Sequence, residues 1–167
     1  MKKIIGILVA LILVLIPMGV TEAATTANIT VNATPAFVSI SVDPTTYAFG
    51  VVETSKNYST STGYFTITNG STVQTDQTIA VVNATWLGGV PWTHSDTGTP
   101  DTDTIAMYAS KNTGVFDIIV KNTAPNYIAE NQAATTNYQF ELRIMTPTSF
   151  SDGVIKSNVV SVSAAVG

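Results

Sequence analysis

The sequence predicts an all-β protein, an antiparallel β-sandwich of about seven to nine strands that follows an N-terminal export signal. Three observations lead to this fold class. Apolar and polar residues alternate with period two in most apolar segments after residue 23. Each segment is short and ends at a cluster of Gly, Pro, Asn, Asp or Ser, and no segment beyond the signal has helical spacing. Short strands with such boundaries are typical of a sandwich or barrel.

The first element is the export signal. Lys2 and Lys3 precede the uncharged apolar run Ile4–Val20, and Thr21-Glu22-Ala23 ends it with small residues around the cut. This order of regions is that of a secretory signal, with cleavage expected after Ala23 and, as second choice, after Ala24. The alternative is an uncut membrane anchor, because the apolar run lies at the lower limit of a spanning length.

Three parts of the chain follow from this assignment. Residues 1–23 are the signal peptide, residues 24–35 an N-terminal strand or linker, and residues 36–167 the sandwich domain. The expected location is outside the cell or on its surface, with membrane contact only through an uncut signal. The chain has no cysteine, so the fold depends on its core rather than on disulfides.

Alternation and apolar content place the strands. The predicted runs are Ala27–Ala33, Phe37–Val42, Tyr64–Asn69, Thr78–Val82, Ile105–Tyr108, Val115–Val120, Tyr138–Met145 and Val154–Ala164. Aromatic residues are the expected core between two sheets, namely Phe37, Tyr47, Phe49, Phe65, Trp86, Phe116 and Phe140.

The segment from Trp86 to Thr104 interrupts the strand pattern. It is rich in Gly, Pro, Thr and Asp, and it holds both tryptophans and the single histidine, His94. Long loops in compact domains are often functional. Trp86, Trp92 and Tyr108 could form a stacking platform for sugar rings, or the tryptophans could pack in the core, which is the commoner use of Trp.

Three carboxylates in the same segment are candidate metal ligands. Asp96, Asp101 and Asp103 supply the hard oxygens that calcium prefers. Their spacing is not that of an EF-hand loop, so a solvated acidic loop is the competing interpretation. Calcium is the one cofactor that the sequence suggests.

Charge and motifs exclude several function classes. Charged residues make up 11% of the chain, far below the usual quarter. Removing Lys2, Lys3 and Glu22 from seven basic and eleven acidic residues leaves five and ten. Such a chain lacks the clustered cations that nucleic acids or anionic lipids require. It also has no nucleophile elbow, zinc-binding motif or phosphate-binding loop, and we expect it not to be an enzyme.

Five N-x-Ser/Thr sequons occur, at Asn28, Asn32, Asn57, Asn69 and Asn83. The motif marks candidate glycan acceptors on exported chains. A chain this rich in Asn and Thr also produces the motif by chance, and both interpretations stay open at this point.

Two segments resemble a known domain type. Pro44-Thr-Thr-Tyr-Ala-Phe-Gly-Val-Val52 and Tyr64-Phe-Thr-Ile-Thr-Asn-Gly70 are similar to the opening of immunoglobulin-like domains of the ASH type. The resemblance covers about a quarter of the mature chain and implies an immunoglobulin-like sandwich. It implies no catalytic residues. The segments Ser95–Pro100 and Thr146–Val154 are similar to those of uncharacterised secreted prokaryotic proteins, which adds no function.

Two functions from different classes fit these observations. The first is a structural protein of the cell surface or extracellular matrix. In this hypothesis the segment Ala24–Ala33, with apolar Ile29 and Val31, adds as a donor strand to another copy and builds a filament. The second is a carbohydrate-binding module that uses Trp86 to Tyr108. The corresponding partners are further copies of the chain, other surface proteins or polysaccharide.

Overall fold

The structure is a computed structural model that describes residues 30–167. The export signal, Asn28 and Ile29 therefore lie outside the described residues. The chain divides into two units, Met1–Thr34 and Pro35–Gly167. Of the first unit, residues 30–34 are described, and they are exposed and belong to no strand. Residues 30–167 contain no helix that is long and apolar enough to cross a membrane.

Residues 35–167 form an all-β, two-sheet structure of the sandwich type, as the sequence predicts. The larger sheet has eight strands and the smaller has the order β11-β4-β9. The strands are β1 (Ile40–Asp43), β2 (Asn57–Ser59), β3 (Phe65–Asn69), β4 (Thr75–Val81), β5 (Thr85–Trp86), β6 (Trp92–His94), β7 (Thr104–Ser110), β8 (Ile118–Ile119), β9 (Asn126–Gln132), β10 (Asn137–Met145) and β11 (Val160–Val166).

The larger sheet runs in the order β1-β3-β10-β7-β6-β5. Strand β2 pairs with the C-terminal residues 143–145 of β10, and β8 pairs with β7. The described pairs are antiparallel except β6 with β7, which is parallel. The expectation of an antiparallel sandwich therefore holds with one exception, which arises because β6 returns to β7 through a nine-residue connection rather than a tight turn.

Alternating positions of the central strands form the core. On β4, Thr75, Gln77, Ile79 and Val81 are buried while the intervening residues are partly exposed. On β10, Phe140, Leu142 and Ile144 are buried apolar residues of the core, as period-two burial requires. The rings of Phe65 and Phe140 stack with centroids 5.1 Å apart and connect β3 to β10.

Several sequence expectations differ from the structure. Phe37 is 59% exposed and Tyr47 is 38% exposed, so neither belongs to the buried core. Phe116 also lies outside it, under the Arg143 guanidinium at 3.8 Å from the ring centroid. Residues 44–52, the first segment that resembles an ASH-type opening, form no strand. Phe49 and Val52 of this segment nevertheless pack against the core.

Candidate strand-acceptor site

Strand β11 is an edge strand whose inner face is incompletely covered. It pairs with β4 along its whole length without a bulge, from Val160 opposite Val81 to Val166 opposite Thr75. Its residues Val160, Val162 and Ala164 lie opposite the buried positions of β4, yet they are themselves only partly buried. The inner face of the sandwich is therefore partly accessible to solvent beside β11, where Val160 and Val162 still pack against the core.

The same residues leave their backbone groups unpaired. The Val82 N–H donates to Val159 O at 2.8 Å, whereas the Val81 N–H donates away from β11, to Lys121 O at 2.9 Å. Antiparallel strands alternate bonded and non-bonded pairs, so Val160, Val162, Ala164 and Val166 direct their N–H and C=O groups away from β4. Among residues 30–167 no strand pairs with this edge.

Strand β1 forms the other side of the same opening. It is the edge strand of the larger sheet, beside β11 of the smaller one. Ile40 lies opposite Asn69 and Val42 opposite Ile67, both buried residues of β3. Ile40 and Val42 are nevertheless only partly buried, and Val38 is 37% exposed. We call the six apolar residues Val38, Ile40, Val42, Val160, Val162 and Ala164 the open flank.

The opposite flank of the sandwich, beside β9, is closed by the chain itself. Residues after β8 cross from the larger sheet to the smaller, where Lys121 bridges Ala80. The Asn122 amide donates to Val81 O at 3.1 Å and to Val82 O at 3.0 Å. This crossing places hydrogen-bonded backbone over the β9 side of the core.

A buried polar network adds to this closure. The Asn69 amide donates to Gln132 O at 3.1 Å and to Ala133 O at 3.0 Å, and its Oδ1 accepts the Ser71 N–H at 3.0 Å. The Gln77 amide donates to Gln132 Oε1. Buried polar groups require hydrogen-bond partners. By supplying them to one another, these side chains connect β3 of one sheet to β4 and β9 of the other.

The described part of the predicted donor segment belongs to no strand. Thr30 to Thr34 are exposed, and the Val31 side chain is 84% exposed. Ile29, the other predicted donor residue, lies outside the described residues. Val31 is thus largely exposed, although its alternating pattern is that of a half-buried strand.

The predicted sugar platform is not assembled on the surface. Trp86 and Trp92 pair across β5 and β6, and they are 8% and 6% exposed. The Trp92 ring stacks on Phe150 with centroids 5.0 Å apart. The Tyr108 hydroxyl donates to Gly98 O at 2.9 Å. The tryptophans are packing residues, and the expected long loop contains β5 and β6.

The three predicted calcium ligands serve separate structural roles. Asp103 accepts the Ser151 N–H at 2.8 Å, and Asp101 accepts the Thr102 N–H at 2.8 Å. Asp96 accepts the Asn122 N–H at 2.6 Å and the Thr123 N–H at 3.0 Å. Within residues 30–167 no three acidic or histidine side chains converge as metal ligands.

Asp96 is the carboxylate with the clearest electrostatic role. Burial alone would raise its pKa, but the Thr123 hydroxyl, the Asn122 and Thr123 N–H groups and nearby His94 together lower the pKa of Asp96 below its usual value. The His94 Nε2 lies 3.9 Å from Asp96 Oδ1 and 2.6 Å from Val120 O. This cluster fastens the residues that precede β9.

The sequons differ in accessibility. Asn32, Asn57 and Asn83 are exposed. Asn69 is fully buried and uses its amide in the network described above, so the folded domain has no room for a glycan there. Asn28 lies outside the described residues.

Comparison of the chain with protein-family models, with curated proteins and with solved structures gives no match.

Proposed function

We propose that this chain is a secreted, non-catalytic structural protein of the cell surface or extracellular matrix. In this proposal the segment Ala24–Ala33 of one copy adds as a strand to the open flank of another. The single observation that carries the proposal is the open flank, where inward apolar side chains and unpaired backbone groups share one edge.

The chemistry of the two sides is complementary. Strand addition provides main-chain hydrogen bonds for affinity, and alternate side chains fill the exposed apolar positions. The segment Ala24–Ala33 has polar residues on both sides of Ile29 and of Val31, which gives one apolar and one polar face. It is ten residues long and β11 is seven, so one segment is long enough to cover the edge.

The proposal extends to the domain type. We assign the sandwich to immunoglobulin-like domains of the ASH type on the residues of the two segments described above. The second of these contains β3, which ends at Asn69. The buried amide of Asn69 supplies a physical reason for an Asn at that position, because it connects the two sheets.

Mixing of single-cysteine variants tests the donor strand directly, since the natural chain has no cysteine. Mature Val31→Cys protein, with its N-terminus at Ala24 verified by mass spectrometry, is mixed with Val160→Cys, Val162→Cys or Ala164→Cys protein under mild oxidation. Because each variant carries one thiol, a mixed disulfide can only join two copies. We expect one of the three β11 positions to cross-link strongly and thereby to report the register.

The matched control is Glu130→Cys, an exposed position on the β9 side, which should cross-link only at the background rate. Equal cross-linking to β9 and to β11 would show random collision and contradict the proposal. Deletion of Ala24–Ala33 provides a second measurement. If the shortened domain folds and still forms the same polymer, the donor-strand function is wrong.

A further inference from the structure

A second apolar surface lies beside the beginning of β11. Four aliphatic side chains are exposed on two neighbouring loops: Leu87 at 60%, Val90 at 45%, Val154 at 53% and Ile155 at 87%. We call these four residues the loop patch. Single exposed aliphatic residues are ordinary, but a contiguous group commonly marks an interaction surface.

The two loops are held together by several contacts. Leu87 and Ser157 exchange backbone hydrogen bonds at 2.8 and 2.9 Å. The Lys156 ammonium, whose side chain is only 3% exposed, lies 2.5 Å from Asp152 Oδ1 and donates to Gly88 O. That ion pair, with the Val90 N–H on Asp152, keeps the pKa of the Asp152 carboxyl low. The patch is thus a fixed surface whose adjacent charges neutralise each other.

Glycines allow the close approach of these loops. A Cβ on Gly88 would lie 2.0 Å from Ile155 O, and Gly88 has a φ of +125°. Gly89 has a φ of +53°, and a Cβ there would lie 2.1 Å from Asp152 Oδ2 and 3.0 Å from Val154 Cβ. Side chains at these two positions would separate the loops, so the sequence specifically permits the arrangement that exposes Ile155.

The patch and the entry of the chain lie at opposite ends of the open flank. Strand β1 begins at Ile40 opposite Asn69, the last residue of β3, and β11 ends at Val166 opposite Thr75, the first residue of β4. Since a five-residue turn connects β3 to β4, the chain enters the sandwich where β11 ends. The loop patch precedes β11, about 23 Å away at the rise of a strand.

We propose that the loop patch binds the entry end of a second copy, around the exposed Phe37, so that copies stack in one direction. This inference rests on the proposed function. The entry end is the part of the chain around Phe37 that precedes β1, and it directly follows the donor segment of the same copy. It therefore lies at the place where that donor segment leaves the open flank of the acceptor copy. If the donor segment leaves the acceptor beside the loop patch, the donor's entry end meets that patch, and repetition of this contact builds an open filament. If the donor segment leaves at the acceptor's own entry end, two entry ends meet and the pair is closed.

The occupant follows from continuity and charge. Residues 154–166 form one segment that carries first the patch and then the unpaired edge, so a partner on the edge extends naturally onto the patch. The chain is acidic, with a net charge of −4, and the patch offers no free cation for an anionic bilayer. A second copy supplies the apolar counterpart in Phe37, which is 59% exposed.

Cysteine mixing distinguishes the two geometries. Full-length mature Phe37→Cys protein is mixed with Ile155→Cys protein. Val115→Cys, a position 60% exposed in the connection between β7 and β8, serves as control. We expect the Phe37–Ile155 disulfide to exceed the Phe37–Val115 disulfide at least tenfold. A predominant Phe37–Phe37 disulfide would establish the closed pair and overturn the inference.

Charge at the patch provides the second measurement. The variant Leu87→Asp/Ile155→Asp should lower filament mass in electron microscopy and light scattering roughly tenfold or more, the factor for one lost aliphatic contact, whereas Val115→Asp should not. An unchanged filament mass in the double variant would contradict the inference. Sedimentation of the protein with phosphatidylcholine vesicles through the loop patch would also contradict it. If Val31 cross-links to β11 while Phe37 does not cross-link to Ile155, the proposed function stands and this inference alone fails.

Discussion

The two edges of the three-stranded sheet differ in how they meet the solvent. Strand β9 bears the exposed Glu130 and the positive-φ residue Asn131, and its register with β4 shifts twice. Strand β11 reads Val-Ser-Val-Ser-Ala-Ala-Val, with no charge, no proline and a regular register. Charges and bulges are the devices by which natural sheets protect an edge from pairing with another chain. The β9 edge has these devices, and the β11 edge lacks them.

The difference extends into the core. On the β9 side the crossing at Lys121 and the Asn69–Gln132 network close the space between the sheets. On the β11 side the inward residues remain partly exposed. In the proposed assembly, stability and strand addition would use different flanks, because the β9 side stabilises the domain while the open flank receives the partner.

The largest expected effect compares one core residue from each edge strand. Ile128 on β9 is fully buried, and Val162 on β11 is partly buried. Ile128→Ala should lower the free energy of unfolding of the monomeric domain by about 2–5 kcal/mol, through lost burial and a cavity. Val162→Ala should cost less than about 1 kcal/mol, because water already reaches its side chain.

Urea denaturation of the domain lacking Ala24–Ala33 measures both variants at one protein concentration. Equal losses would show that the β11 side is as closed as the β9 side. A useful companion is the same pair in the assembled protein, where the cost of Val162→Ala should rise.

Much of the fold can be predicted from the sequence, because β3, β10 and β11 carry apolar alternation and β4 and β7 contain apolar-rich runs. Strand β9 could not be predicted. Its buried Gln132 is satisfied by Gln77 of another strand, so an inward position looks polar in the sequence. Strands β5 and β6 are too short for any period, and their Gly- and Pro-rich connection suggested a loop.

The donor segment and the open flank also differ in how far each can be predicted from the sequence. Val31 is visible as an apolar residue in a polar segment, whereas the open flank depends on which strands become sheet edges. That property arises from topology, since β1 and β11 lie far apart in the chain and meet only across two sheets. The burial of the two tryptophans depends on pairing between β5 and β6, which no local pattern reveals. From the sequence alone they therefore remained candidates for a binding surface.

A smaller effect concerns the acid sensitivity of the β9 side. Because the pKa of Asp96 is lowered in the folded protein, its contribution to stability is present above the unfolded pKa of about 3.9. It is lost as the pH falls through the lower folded value. Asp96→Asn should therefore reduce stability at pH 7 by about 1 kcal/mol, the size of a typical hydrogen-bond loss, and flatten the decline of stability below about pH 4.

Unfolding in urea between pH 7 and pH 2 measures this slope. Thr123→Val retains the carboxylate and removes one donor to it, so its slope should fall between those of the wild type and Asp96→Asn. An unchanged slope in Asp96→Asn would show that other groups govern the acid sensitivity of this region.

Ala164→Pro should have the smallest effect on stability of these substitutions and the largest effect on assembly. The Ala164 N–H points to the unpaired edge, whereas the neighbouring Ala165 N–H points to β4, by the alternation of the antiparallel pair. Proline removes one N–H and is tolerated where that group faces solvent. Ala164→Pro should therefore change the free energy of unfolding of the shortened domain by less than about 0.5 kcal/mol, within the range of ordinary surface substitutions.

Ala165→Pro is the matched control, since it removes a ladder hydrogen bond and should cost more than 1 kcal/mol, roughly the loss of one such bond together with the strain of the ring. In the full mature protein Ala164→Pro should abolish the Val31 cross-link to β11, because a donor strand loses one partner and meets the ring. Polymer of normal length from Ala164→Pro protein would mean that assembly does not use this edge, even if the edge is open in the monomer.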